Sequence, residues 1–226
     1  MFRHIRLLSF DLDDTLWPTK PVIMAAEQAL YDWLAREAPR IVQALSIMDM
    51  RERRLAFMEA HPDMAHDLTL VRRRTLALLL EEYGYDPGRA GEGTALFRAA
   101  RNRVMPWEDV LPVLSRLKQD YLLVSVTNGN AQVEHTPLRD CFHLNLGAAE
   151  VGAAKPDPAL FQALADWSAL PFERMMHVGD DLRRDMLPAR NLGMATVWVH
   201  RFKLQSGREF RPDLCLFNLW PLLRYL

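Results

Sequence analysis

The sequence predicts an α/β protein: a doubly wound, Rossmann-like parallel sheet into which an all-α helical bundle is inserted. Three observations predict it. Four compact apolar runs of strand length stand at 5–12, 121–128, 174–181 and 194–200. Helical patterns at 108–119, 157–168 and 182–192 alternate with them. The stretch from about 19 to 104, by contrast, is rich in Leu, Ala, Arg, Glu and Met and almost free of strand signals.

The runs IRLLSFDL, YLLVSVTN, RMMHVGDD and MATVWVH are each bounded by polar or turn residues. Strands buried on both faces of a parallel sheet have this character. Strands alternating with helices give such a sheet, joined by right-handed crossovers. A weaker strand is predicted at DLCLFN, residues 213–218. In the insertion, helices are predicted at 20–37, with Thr19 as cap and Pro21 just inside, and at 39–60, 67–84 and 93–104. The turn-rich YGYDPGRAGEG, residues 83–93, breaks the last two apart. The expected division is therefore 1–18 with 105–226 as the α/β core and 19–104 as the helical domain.

Composition excludes several classes. Half of the 226 residues are hydrophobic and a quarter charged, which suits a globular protein with a proper core. A formal net charge of −1 gives no global pull toward nucleic acid or a membrane surface. The two cysteines, Cys141 and Cys215, make no disulfide framework and carry no chemistry here. The first apolar run is short and broken by Arg3, Arg6 and Ser9, unlike a signal peptide, and no run reaches membrane-spanning length. A soluble, cytoplasmic protein, monomer or homodimer, is expected, with no nucleic-acid or membrane partner.

The chemistry gathers at the carboxyl ends of the strands, where open parallel sheets bind ligands. The first strand runs into Asp11, Asp13 and Asp14, three like charges that repel one another unless a cation sits among them. The second ends in Thr127-Asn128-Gly129, and the third in Gly179-Asp180-Asp181, with Asp185 one turn into the next helix. Between these, GAAKPDP places Lys155 before a helix marked by Pro156 and Pro158. A calcium loop is excluded, because Leu16 stands where such a loop needs glycine and Val22 where it needs glutamate. Carboxylates from two strand ends suit Mg²⁺, which keeps waters and takes a phosphate oxygen. Thr127, the Asn128 amide and Lys155 are then placed to hold the other phosphate oxygens.

Four motifs in order, DLDDT (11–15), SVTNGN (125–130), the lysine of AKPDP (154–158) and VGDDLRRD (178–185), resemble the haloacid dehalogenase superfamily of phosphohydrolases. The resemblance implies that Asp11 attacks phosphorus and forms an aspartyl-phosphate. It implies that Asp13 protonates the leaving group and then activates water. Mg²⁺ would be held by Asp11, the main-chain carbonyl of Asp13 and Asp180, while Thr127, Asn128 and Lys155 bind phosphate. Asp185 would support a ligand or Lys155 from behind. Asp14 is expected to shape the turn, and Asp181 to cap the following helix.

The helical insertion is similar to the family's cap domain. The stretches FDLDDTLW, PVI, HDLTLVRRRTL (66–76), TNGNAQ (127–132) and HVGDDL (177–182) carry a closer resemblance to one group of bacterial members, which dephosphorylate FMN and 5-amino-6-(5-phosphoribitylamino)uracil. The expected function is hydrolysis of a small phosphate ester, with those two as the specific candidates. The alternatives are a phosphotransferase or mutase, a 2-haloacid dehalogenase, and a non-catalytic binding module. The dehalogenases lack an aspartate two residues after the nucleophile, and this chain has Asp13 there. Elsewhere, Asp67 is expected to cap a helix and His177 to be a packed strand residue. Most of Arg72, Arg73 and Arg74 are expected on a solvated helix face.

Overall fold

A computed structural model describes residues 2–201 and 211–226. The chain divides into two compact units, one of residues 1–18, 105–129 and 133–226, the other of 19–104 with 130–132.

The first unit holds a six-stranded sheet. Its strands are β1 (Leu7–Phe10), β2 (Leu122–Thr127), β3 (Leu144–Gly147), β4 (Met175–Gly179), β5 (Ala195–Val199) and β6 (Leu214–Leu216), ordered β3-β2-β1-β4-β5-β6. Every pairing is parallel. The winding turns outward in both directions from β1, so the loops after β1, β2 and β4 meet at one end of the sheet. All residues of β1 and β4 are buried, as continuous apolar composition requires at the centre of such a sheet.

The second unit holds α1 (Thr19–Glu37), α2 (Pro39–Ala44), α3 (Ile47–Ala60), α4 (Leu68–Glu82) and α5 (Ala90–Arg101). Their shared core includes Leu30, Trp33, Leu34, Leu76, Leu80 and Phe97. Gly93 permits the close packing of α5, since a Cβ there would stand 2.7 Å from Leu76 Cδ2 and 2.9 Å from Trp33 Cζ3. In the first unit α6 (Val110–Leu117), α7 (Ala148–Val151), α8 (Ala159–Ser168), α9 (Leu187–Asn191) and α10 (Leu222–Tyr225) complete the fold. Of these, α8 packs on β2 and β3, and α9 on β5.

Several elements differ from the sequence expectation. The helix expected over 39–60 is two helices, because Ser46 is extended and closes a capping box with Asp49 that starts α3. The helix expected over 182–192 begins as a π-helical turn, Leu182–Met186, before α9. Strand β3 was not anticipated: it is four residues long, half exposed at a sheet edge, and contains Asn145 and Gly147, so it lacks the apolar density of a central strand. Asp67 and Asp181 do cap their helices, each accepting two main-chain N–H groups. Arg73 and Arg74 are exposed, but Arg72 is buried, its guanidinium paired with Glu27. Cys141 and Cys215 are free thiols, and among the described residues no helix is long and apolar enough to cross a membrane.

Candidate active site

The three central strand ends deliver one connected polar group. Lys155 Nζ donates to Asp11 Oδ1 at 2.8 Å, to Asp185 Oδ1 at 2.6 Å and to the Val126 carbonyl at 2.8 Å. Its side chain is 2% exposed, so the ammonium is held where only these oxygens can solvate it. The Thr15 hydroxyl lies 3.3 Å from both Asp11 Oδ2 and Asp180 Oδ1, and shares its single proton between the two carboxylates. Ligand oxygens of Asp11, Asp180 and Asp185 all lie within 4.8 Å of one another.

Asp185 is committed to its neighbours. Besides Lys155, it accepts from the Asp181 main-chain N–H at 3.0 Å, and its Oδ1 lies 3.3 Å from His177 Nε2. The approach requires Gly179, because a Cβ at that position would stand 2.5 Å from Asp185 Oδ2. Burial opposes its charge, but Lys155 and His177 together outweigh burial and hold the carboxyl well below the usual range. Burial likewise works against the Lys155 charge, and the Asp11 and Asp185 carboxylates reverse this and raise its pKa.

Asp11 and Asp180 go the other way. Burial, opposed by Lys155, pushes the Asp11 carboxyl up to about 7. Burial, then the Asp11 and Asp185 charges, push Asp180 up to about 9. Among the described residues no cationic side chain reaches Asp180 within ion-pair distance. The donor set is all oxygen, and with all three carboxylates ionised its negative charge exceeds what one lysine balances, which fits a hard divalent cation.

The remaining predicted residues take different places. Asp13 is not among the clustered carboxylates; its Oδ1 accepts from Trp17 Nε1 at 2.9 Å. Asp14 adopts a left-handed conformation with φ 60°, and its N–H donates to the Trp17 carbonyl. Thr127 Oγ1 accepts from the Gly129 N–H at 2.9 Å. The Asn128 side chain is spent on the Lys155 main chain, donating to its carbonyl at 2.8 Å and accepting from its N–H at 2.7 Å. That pair locks the lysine loop to the loop after β2.

The family model for haloacid dehalogenase-like hydrolases matches residues 5–193. The chain belongs to that family. It is 32% identical over 200 residues to the 5-amino-6-(5-phospho-D-ribitylamino)uracil phosphatase YigB of Escherichia coli, covering 87% of this chain and 84% of that one. It is 31% identical to the phosphoserine phosphatase of Thermus thermophilus, covering 95% and 96%. A solved structure described as the 2-haloacid dehalogenase of Pseudomonas syringae superposes with a TM-score of 0.90 at 35% identity, covering 97% of both chains. As a member of this family the chain is a hydrolytic enzyme with a Rossmann-like core.

Sequence reasoning missed part of the group. His177 is more than a packed strand residue: it faces Ser9 across paired strands, with Nδ1 2.8 Å from the Ser9 hydroxyl. The ring thus stands between the Ser9 hydroxyl at Nδ1 and Asp185 at Nε2, and burial pushes the imidazole pKa down, toward its neutral form. The available signal was register: a polar residue in each of two adjacent central strands, which must pair if both are buried.

Proposed function

We propose that this protein is a Mg²⁺-dependent phosphomonoesterase that works through an aspartyl-phosphate on Asp11. The observation that carries the reading is Lys155 bonded at once to Asp11 and Asp185, beside an Asp180 that lacks a positive partner among the described residues. Asp11, Asp180 and the Asp13 main-chain carbonyl would hold Mg²⁺, which supplies positive charge against the phosphoryl oxygens. The Asp11 carboxylate attacks phosphorus as the ester P–O bond breaks. Asp13, oriented by Trp17, gives its proton to the departing oxygen. Water then attacks phosphorus, Asp13 takes its proton, and the bond to Asp11 breaks. Lys155, Thr127 and the Asn128 main-chain N–H offset charge on the phosphoryl oxygens, while Asp185 and Asn128 fix Lys155 from its two ends.

The specific substrate we favour is 5-amino-6-(5-phosphoribitylamino)uracil, on the likeness to YigB across most of both chains, with FMN beside it on the motif resemblance given above. A phosphorylated amino acid is the next candidate, from the likeness to the phosphoserine phosphatase. Phosphate release from these esters, measured on the purified protein with Mg²⁺, tests the reading; a protein that releases none of it overturns the reading. A second reading, halide release from a 2-haloacid, is favoured by the P. syringae structure's description. Asp13 argues against it, because attack on carbon with loss of halide needs no acid at the leaving group. Chloride release from 2-chloropropionate in the same assay would decide for it.

The carboxyl pKa values give the metal a pH signature. Both Asp11, at about 7, and Asp180, at about 9, lie above the unfolded value of 3.8. The fold therefore favours their protonated forms, and ionising them as pH rises through 4 to 9 costs the metal-free protein stability. A cation binds the ionised forms, so its binding releases protons and tightens over the same window. EDTA should abolish turnover and Mg²⁺ restore it. The rise in melting temperature on adding Mg²⁺ should be larger at about pH 8.5 than at about pH 6. Equal shifts at both pH values would remove the metal from Asp180.

A further inference from the structure

Strand β5 supplies no reacting group, yet its carboxyl end bonds to both acidic loops. Trp198 Nε1 donates to the Asp180 carbonyl at 2.7 Å. Just after the strand, Arg201 donates to the Thr15 carbonyl from Nε at 3.2 Å and from Nη2 at 3.1 Å. Its Nη1 donates to both Asp109 oxygens, at 2.8 and 2.9 Å. The Arg201 and Asp109 side chains are 6% and 2% exposed. Asp109 is itself fixed by the Leu219 N–H at 2.6 Å, and the guanidinium lies over the Trp107 ring, 4.3 Å from its centroid.

We infer that Trp198 and Arg201 are positioning residues that set the separation of the Asp11 and Asp180 carboxylates by gripping the main chain beside each. The inference rests on the phosphatase reading above. Thr15 is the link: its carbonyl takes the Nε and Nη2 edge of the guanidinium, while its hydroxyl bridges Asp11 and Asp180. A planar fork bonded on one edge to a carbonyl and on the other to a buried carboxylate has no rotational freedom left, so the carbonyl it holds is fixed. Lysine cannot reproduce that grip, since it offers one nitrogen where arginine offers three. Both residues stand beyond the stretch 5–193 that carries the family match. Neither touches a carboxylate that would bind the metal, so each acts through the backbone.

The test is a set of Mg²⁺ titrations by calorimetry beside turnover measurements. R201K keeps a charge against Asp109 and so keeps the fold. It should weaken Mg²⁺ binding and lower kcat by about tenfold each, the scale on which neighbours of metal ligands act, with KM little changed. W198F, which removes the indole N–H together with part of the ring, should weaken Mg²⁺ binding in the same direction by about threefold. T15V cuts the link, and adding R201K to it should bring little further loss, because the two act along one path. Wild-type Mg²⁺ affinity in folded R201K and W198F, or losses that simply multiply in the R201K/T15V double variant, would overturn the inference while leaving the phosphatase reading intact. If the wild type itself neither binds Mg²⁺ nor releases phosphate, the reading fails, and the inference goes with it.

Discussion

Asp11→Asn lowers turnover by at least about 10⁴-fold, on the scale seen when a covalent nucleophile is removed, while the protein stays folded. The substitution keeps the shape of the side chain and one accepting oxygen, but it turns the other oxygen into an NH₂ donor and removes the charge that attacks phosphorus. Stability should not fall with it. The Asp11 carboxyl is raised to about 7 by burial, so its ionised form is disfavoured in the metal-free fold. Lys155 keeps Asp185 as a counter-ion at 2.6 Å when Asp11 is neutral. The variant should therefore melt at or above the wild-type temperature in EDTA at about pH 8. Activity lost together with unchanged or higher stability marks a group retained for chemistry rather than for the fold. Phosphatase activity near wild type in this variant would end the nucleophile assignment.

Glu27→Ala destabilises the helical unit by about 3–5 kcal/mol, the cost of leaving a buried charge without its partner. Glu27 takes Arg54 Nη2 at 2.7 Å and both terminal nitrogens of Arg72, at 2.9 and 3.1 Å. Arg72 Cζ also lies over the Phe97 ring, 3.3 Å from its centroid, in the core between α1, α4 and α5. Burial, with Arg54 beside it, pushes the Arg72 pKa down to about 10 even with Glu27 present. Without Glu27 two guanidinium groups face each other with no anion. The pair is thus costly to break, yet it is a weak net source of stability. A Glu27→Leu/Arg72→Met double variant should recover most of the loss.

The same carboxylate carries a pH dependence. Burial opposes its charge, but Arg72 and Arg54 outweigh burial and lower its pKa from 4.5. Its contribution is therefore present above that value and is lost as pH falls through the depressed folded pKa. The stability gap between wild type and Glu27→Gln, measured by urea denaturation, should be full at neutral pH and close as the medium is acidified below about pH 4. A gap that stays constant to low pH would show that the Glu27 charge is not what holds Arg72.

How much was legible in advance follows from where the information sits. The acidic loops after β1 and β4 and the Thr-Asn-Gly after β2 are local patterns: an apolar run, then residues whose chemistry needs a strand end. Their spacing and order were readable without coordinates, as were the helical caps at Asp67 and Asp181. The break at Ser46 was also locally encoded, by the serine and the aspartate three residues on, but the long helical pattern on either side masked it. Strand β3 was not readable, because an edge strand of four residues takes its identity from β2 beside it and not from its own composition.

On its own the chain's sequence specified the α/β core with its inserted helices, the family, and which polar side chains stand at the strand ends. These rest on periodicity and on short motifs, which survive without knowledge of contacts. The tertiary structure decided which of those side chains bond to which. Lys155 meets Asp11 across 144 positions, and Arg201 meets Thr15 across 186. Ser9 and His177 become a pair only through strand register, and Arg72 is buried only because α1 brings Glu27 to it. In each case a polar group is buried, and burial demands a partner that the neighbouring sequence does not contain.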